Sequence, residues 1–164
     1  MGTHMKFEGT LYQIAVVVRN LEAGMKHYEQ ILGLGPWTRV DTDYTARYRD
    51  WTGRIANRNA FAQWGEHLHL EMIEPGVGEA NAMEWLRTRG EGIFHLGYAT
   101  DNLDQRPGGV EACFETLETL TEDGRPAIVH LDTVDQLGYF VELAHRPLAE
   151  RLSRWVASGG AEKM

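Results

Sequence analysis

Cysteine is almost absent: Cys113 is the only one in 164 residues. A single thiol rules out an intramolecular disulfide and a cysteine-cluster zinc site, and it suits a reducing, cytoplasmic setting. Long apolar runs are absent too. No stretch approaches the roughly 18 residues a helix needs to cross a bilayer, so no membrane partner is expected. Positive charge is scarce: 16 basic side chains face 24 acidic ones, for a formal net charge of -8. Free-standing nucleic-acid binders are usually basic, so nucleic acid is set aside as a partner. No phosphate-cradling glycine loop is present either, because Gly108-Gly109 and Gly159-Gly160 lack the strand-to-helix setting. What remains, with 43% hydrophobic and 24% charged residues, is the composition of one globular α+β domain.

Residues 1–5, Met1-Gly2-Thr3-His4-Met5, read as a cloning remnant, which removes His4 from any count of ligands. Residues 11–18 form a β-rich run, and Asn20 is placed to cap a helix over 21–32 that stops at Gly33-Leu34-Gly35-Pro36. Strands are expected over 37–48, 56–64 and 67–73, the last ending at Pro75-Gly76, followed by a short helix over 81–89. The pattern then restarts with a strand at 93–100 and a short helix at 109–117, on which Cys113 is inert. A hairpin over 118–131 turning at Asp123-Gly124 and a strand at 138–143 follow. An exposed helix over 147–156 and a frayed tail close the chain. The division is a first βαβββ module at 6–75, a linker at 76–92, a second module at 93–147 and a C-terminal segment at 148–164.

The restart is a repeat. The segment Gln13-Ile14-Ala15-Val16-Val17-Val18-Arg19-Asn20-Leu21-Glu22 lies over His95-Leu96-Gly97-Tyr98-Ala99-Thr100-Asp101-Asn102-Leu103-Asp104 at an offset of 82 residues. Leu70-Glu71-Met72-Ile73 lies over Val141-Glu142-Leu143-Ala144 at an offset of 71, so the second copy is 11 residues shorter in its middle. Four polar residues fall at equivalent places: Gln13, His95, Glu71 and Glu142. Strand alternation sets each of them opposite an apolar face. Tyr12, Ile14, Val16 and Val18 oppose Gln13, and Phe94, Leu96 and Tyr98 oppose His95. If each module curves with its helix outside, the four side chains converge on the concave side. One imidazole, two carboxylates and an amide oxygen suit a single divalent ion with two waters: Ni, Co, Zn, Mn or Mg.

These segments carry a family resemblance. Together with Tyr28-Glu29-Gln30-Ile31-Leu32-Gly33-Leu34, Gly92-Ile93-Phe94-His95-Leu96-Gly97 and Gly138-Tyr139-Phe140-Val141-Glu142-Leu143, they resemble the vicinal oxygen chelate superfamily. That superfamily includes glyoxalase I, methylmalonyl-CoA epimerase, extradiol dioxygenases and bleomycin- or fosfomycin-resistance proteins. The resemblance implies two βαβββ modules forming a curved mixed sheet, a metal held by Gln13, Glu71, His95 and Glu142, and a homodimer. The order Gln, Glu, His, Glu is similar to one found among glyoxalase I enzymes. Two departures matter. Gln13 stands where iron dioxygenases place a first histidine, which disfavours iron and oxygenase chemistry. Residues 40–57 also hold no glutamate, where epimerases of this superfamily are expected to place a basic one.

The expected activity is that of an isomerase, epimerase or lyase. A divalent ion binding adjacent oxygens of a carbonyl or thioester substrate stabilises an enediolate or enolate while a base moves the proton. Glu142 is one candidate base. His130 is the other, because Val129 and Leu131 take the packed face and leave it on the concave one. His69, in phase with Glu71, is a candidate to line the site. Arg39, Arg47, Arg49, Arg54 and Arg58 form a local basic patch, with Arg47, Arg58 and Trp51 as candidate substrate contacts. The alternatives are a metal-independent ligand-sequestering protein of the resistance type and a non-haem iron dioxygenase.

Overall fold

The computed structural model describes residues 6–164, so the reading of residues 1–5 as a cloning remnant lies outside the described residues. The elements in order are β1 (Thr10–Val17), α1 (Leu21–Leu32), β2 (Thr38–Tyr48), β3 (Trp51–Gln63), β4 (His69–Val77), α2 (Asn81–Arg89) and β5 (Gly92–Thr100). After them come β6 (Ala112–Thr116), β7 (Ile128–Leu131), α3 (Val134–Leu137), β8 (Phe140–His145) and α4 (Arg146–Ala157). The eight strands close into a barrel in the order β1-β4-β3-β2-β6-β7-β8-β5. The fold is mixed α+β, and the barrel closes within one chain. Its two seams are antiparallel pairs, β1 with β5 and β2 with β6.

The repeat seen in the sequence is a repeat of register. β1 pairs parallel with β4, which sets Ala15 opposite Glu71, and β5 pairs parallel with β8, which sets Gly97 opposite Glu142. Ala15 and Gly97 are the 82-residue equivalents of one another, so both glutamates are carried to the same depth of the barrel. Helix α1 lies outside the first half. The Asn20 side chain accepts from the Ala23 N–H at its start, and Gly33 ends it in the left-handed region with φ 67°. Leu21 is fully buried there among Val16, Leu70 and Met72. Its repeat equivalent, Leu103, anchors the corresponding cluster with Val129, Leu131 and Leu143 in the second half.

Several expected elements differ. The helix expected at 109–117 is the strand β6, preceded only by a 3-10 turn at Pro107–Gly109. Gly108 and Gly109 both take positive φ, which breaks any helix start, and Ala46, Arg47 and Tyr48 of β2 supply ladder partners for Thr116, Glu115 and Phe114. Tertiary pairing thus decides a segment whose local pattern is ambiguous. The second copy has no counterpart of α1 between β5 and β6, and its β6–β7 pair is shorter than β2–β3. β4 runs past Pro75-Gly76 because Gly76 is the extra residue of a bulge opposite Ala56 and Asn57. A Cβ on Gly76 would sit 2.7 Å from the Ala56 carbonyl oxygen. The hairpin expected over 118–131 is mostly loop, with β7 starting only at Ile128. The last helix is not simply exposed: Ala149 and Val156 are buried, and Trp155 meets Phe61 edge to face at 5.5 Å.

Two glycines separate conformational from steric need. Gly65 (φ 93°) has open space around a notional Cβ, whereas Gly78 (φ 102°) would place one 2.5 Å from the Arg54 carbonyl oxygen. Gly65→Ala is expected to cost about 1–3 kcal/mol through φ alone. Gly78→Ala must cost more, and urea denaturation midpoints of the two variants measure the difference.

Candidate metal centre and active site

The four residues singled out by the repeat meet inside the barrel. Gln13 and His95 are buried, Glu142 is buried, and Glu71 keeps a small exposed fraction. The His95 Nε2 lies between the two carboxylates, 3.4 Å from Glu71 Oε1 and 3.2 Å from Glu142 Oε2. Gly97 makes this approach possible. A Cβ there would stand 3.1 Å from Glu142 Oε1 and 3.2 Å from the Gln13 Cβ.

The hydrogen bonds fix the tautomers. The Gln13 amide nitrogen is 3.0 Å from His69 Nε2. An amide N–H₂ only donates, so His69 Nε2 accepts, and the Gln13 oxygen is left as the free end. That oxygen, Gln13 Oε1, is buried with no hydrogen-bond partner, as is His95 Nδ1. A buried acceptor without a partner costs about 1–3 kcal/mol, which a cation at that oxygen would remove. The donor set thus fits a divalent ion: amide oxygen, two carboxylates and one imidazole. His69 holds Gln13 in place from behind and does not line the cavity, as orienting groups behind metal ligands commonly do.

His130 belongs to a relay. The Asn81 Nδ2 donates to His130 Nδ1 at 2.9 Å, which puts the ring proton on Nε2, from where it donates to Glu142 Oε2 at 3.0 Å. The Tyr12 hydroxyl donates to the other oxygen, Glu142 Oε1, at 2.9 Å. Phe114 stacks on the His130 ring with centroids 4.5 Å apart. The ligand atoms of His95, His130 and Glu142 lie within 4.8 Å of one another. This is a two-histidine, one-carboxylate grouping of the kind iron oxygenases use. Both nitrogens of His130 are already engaged, however, so the ring braces Glu142 instead of offering a lone pair.

The electrostatics sort the groups. Burial would raise the Glu142 carboxyl, but His95, His130 and Tyr12 outweigh it and bring it down to about 2. Burial pushes Glu71 the other way, only partly offset by His95. Burial disfavours charged His95, yet Glu142 and Glu71 outweigh it and raise its pKa. His130 is lowered by burial, and His69 falls to about 4 for the same reason, so both rings are neutral. Glu142 is ionised, burial favours protonated Glu71 and the two carboxylates favour protonated His95, and a bound cation would displace those protons.

The basic patch lies elsewhere. Arg39 pairs with Glu22, Arg47 with Glu115, Arg49 with Asp132, Arg54 with Asp43, and Arg58 with both Glu22 and Glu74. None of them lines the cavity over Glu71 and Glu142. Four of them lie on β2 or β3 and Arg49 in the turn between, and nearby acids neutralise them. Trp51 is partly buried against the core beside Gly53 and Gly78. Arg47, Arg58 and Trp51, expected as substrate contacts, are not among the residues that line the cavity.

Three site residues escape sequence reasoning. Tyr12 and Phe94 alternate onto outer faces, but two bulges in the β1/β5 seam make each the extra residue, and both line the cavity. Bulges beside active sites re-aim side chains in this way. Asn81 carries no signal beyond its place at the start of α2. Cys113 is a strand residue whose thiol is pushed up to about 12 by burial.

A family model described as the Glyoxalase/Bleomycin resistance protein/Dioxygenase superfamily matches residues 12–125. The chain belongs to this superfamily, whose fold is that of the vicinal oxygen chelate proteins. Among solved structures, methylmalonyl-CoA epimerase from Mycobacterium tuberculosis is 22% identical with a TM-score of 0.55, covering 87% of this chain and 91% of that one. A variant of Streptomyces coelicolor methylmalonyl-CoA epimerase in complex with 2-nitronate-propionyl-CoA is 18% identical with a TM-score of 0.54, covering 85% and 98%. A hypothetical protein from Bacillus halodurans is 19% identical with a TM-score of 0.54, covering 84% and 94%. At these identities the likeness is one of fold. No curated protein matches.

Asn81→Ala tests the relay. It leaves His130 Nδ1 buried without a donor and should cost about 1–3 kcal/mol of stability. The native Cys113 thiol should react slowly with a disulfide reagent at pH 8, and fully once urea unfolds the chain.

Proposed function

We propose that this chain is a divalent-metal-dependent isomerase, epimerase or lyase that moves a proton on the carbon beside a carbonyl. The observation that carries this reading is the His95 Nε2 facing both Glu71 and Glu142, together with a Gln13 Oε1 that is buried without a partner. Gln13, Glu71, His95 and Glu142 would hold the ion. When bound, it supplies Lewis-acid stabilisation of an enolate or enediolate oxygen. Nickel, cobalt, zinc, manganese and magnesium all accept this donor set, and iron is the poorer match.

The residues of the chain divide the remaining work. Glu142 is locked at both oxygens, by Tyr12 and by His130, and so acts as the fixed carboxylate. Among the described residues, the Glu71 carboxylate has only His95 as a partner, and its burial favours the protonated form. Glu71 is therefore the carboxylate freer to swing toward substrate and accept the proton. The proposed base moves to Glu71 from Glu142, where the sequence placed it, because the donors around Glu142 are visible only in the fold. His130 keeps Glu142 in place and is not a free base. A carbonyl or thioester substrate enters from the cavity, whose wall includes both carboxylates. Every proposed ligand comes from one chain, so a homodimer partner is not needed to complete the centre.

Proton exchange of candidate substrates in D₂O, followed by NMR, tests this reading. The panel is a 2-oxo aldehyde hemithioacetal, methylmalonyl-CoA and a neutral α-hydroxy ketone, each with protein loaded with one metal at a time. Loss of a general base costs about 10²–10⁴-fold in rate. Glu71→Gln should lose that much while keeping its metal, since an amide oxygen still ligates. Full exchange in Glu71→Gln with loss in Glu142→Gln would return the base to Glu142. No exchange on any substrate with any metal would favour the ligand-sequestering alternative.

A further inference from the structure

The cavity above the two carboxylates has a volume of about 280 Å³. Six aromatic rings line it: Tyr12, Tyr44, Phe61, Phe94, Phe114 and Trp155. Among the described residues, no lysine or arginine side chain does, and its only acidic side chains are Glu71 and Glu142. A phosphate or carboxylate on a substrate would find no cationic partner inside it. The arginines on β2 and β3 do not supply one, because each is held in an ion pair outside the barrel. On one side the wall is α4, which contributes Leu148, Leu152 and Trp155, with Trp155 set against Phe61.

From this we propose that the site takes neutral, ring-bearing carbonyl compounds with two adjacent oxygens, one or two fused rings in size, and not coenzyme A or other anionic thioesters. Size sets the upper bound. A cavity of about 150 Å³ accepts one benzene ring, so this cavity matches a bicycle of naphthalene size. Polarity sets the orientation. The adjacent oxygens face Glu71, Glu142 and His130 at one end, and the rings lie among Phe61, Phe94, Phe114 and Trp155. Offset or edge-on contacts with such rings favour aromatic ligands beyond the gain from burial alone. The assignment rests on the proposed function for the oxygen-binding end, whereas the ring-binding end stands on the cavity wall.

The test is direct binding to the purified full chain, without turnover. Isothermal titration uses 2-hydroxy-1-(2-naphthyl)ethanone and 2-hydroxy-1-phenylethanone as neutral probes, with acetyl-CoA and S-lactoylglutathione as anionic ones. Both neutral probes should bind at least about tenfold more tightly than either anion, given the cost of an unpaired buried charge. Quenching of Trp155 fluorescence, lost in Trp155→Phe, locates the ligand under α4. Leu152→Glu places a carboxylate in the wall and should weaken the neutral probes about tenfold or more. Leu152→Met should leave them nearly unchanged, which separates charge from folding damage. Tighter binding of either anion, or no quenching by a bound neutral probe, overturns the proposal. Protein that takes up none of the five metals yet binds the neutral probes would remove the proposed function and leave the ligand class standing. Metal-loaded protein that exchanges protons only on thioesters would do the reverse.

Discussion

Two carboxylates held against one histidine inside the barrel are the arrangement on which the rest of this structure turns. Water must be removed from both acids, and their mutual repulsion rises in the low-dielectric barrel. His95 between them, and Tyr12 and His130 on Glu142, are the compensations present. The Gln13 oxygen is one more buried acceptor, left without a partner. Much of the local geometry follows from this: Gly97 is needed for clearance, His69 is needed to turn the Gln13 amide, and Asn81 is needed to fix the His130 tautomer.

The barrel brings these groups together through register. Each half pairs its first and last strands in parallel, and equivalent residues oppose one another in the two halves. The seams between halves then decide which extra side chains join. The two bulges at the β1/β5 seam turn Tyr12 and Phe94 inward. The β2/β6 seam presents Phe114 beside the His130 ring. The outer clusters around Leu21 and Leu103 pack the outer face of each sheet.

Much of this was legible in the sequence. The repeat, with alternation, identified Gln13, Glu71, His95 and Glu142 as one cluster, because a two-residue period fixes which face each side chain takes. The bounds of α2 are legible, with Gly90 closing a short polar helix. What alternation misses is any departure from alternation. It sets Tyr12 and Phe94 outside because bulges carry no strong local signal. The segment at 109–117 has a helical pattern, and only its partner β2 makes it a strand. The arginines look like a patch for want of their acids, which lie up to 83 residues away in the case of Arg49 and Asp132. The role of His130 depends on Asn81, 49 residues earlier, and no spacing rule connects them.

Metal content measured on protein purified without chelator is the most direct test of the account. Elemental analysis should find about one divalent ion per chain in the wild type, with affinity lost when a ligand is removed in His95→Ala. A wild-type protein that stays empty after reloading with nickel, cobalt, zinc, manganese and magnesium would contradict it. So would an ion retained in full by His95→Ala.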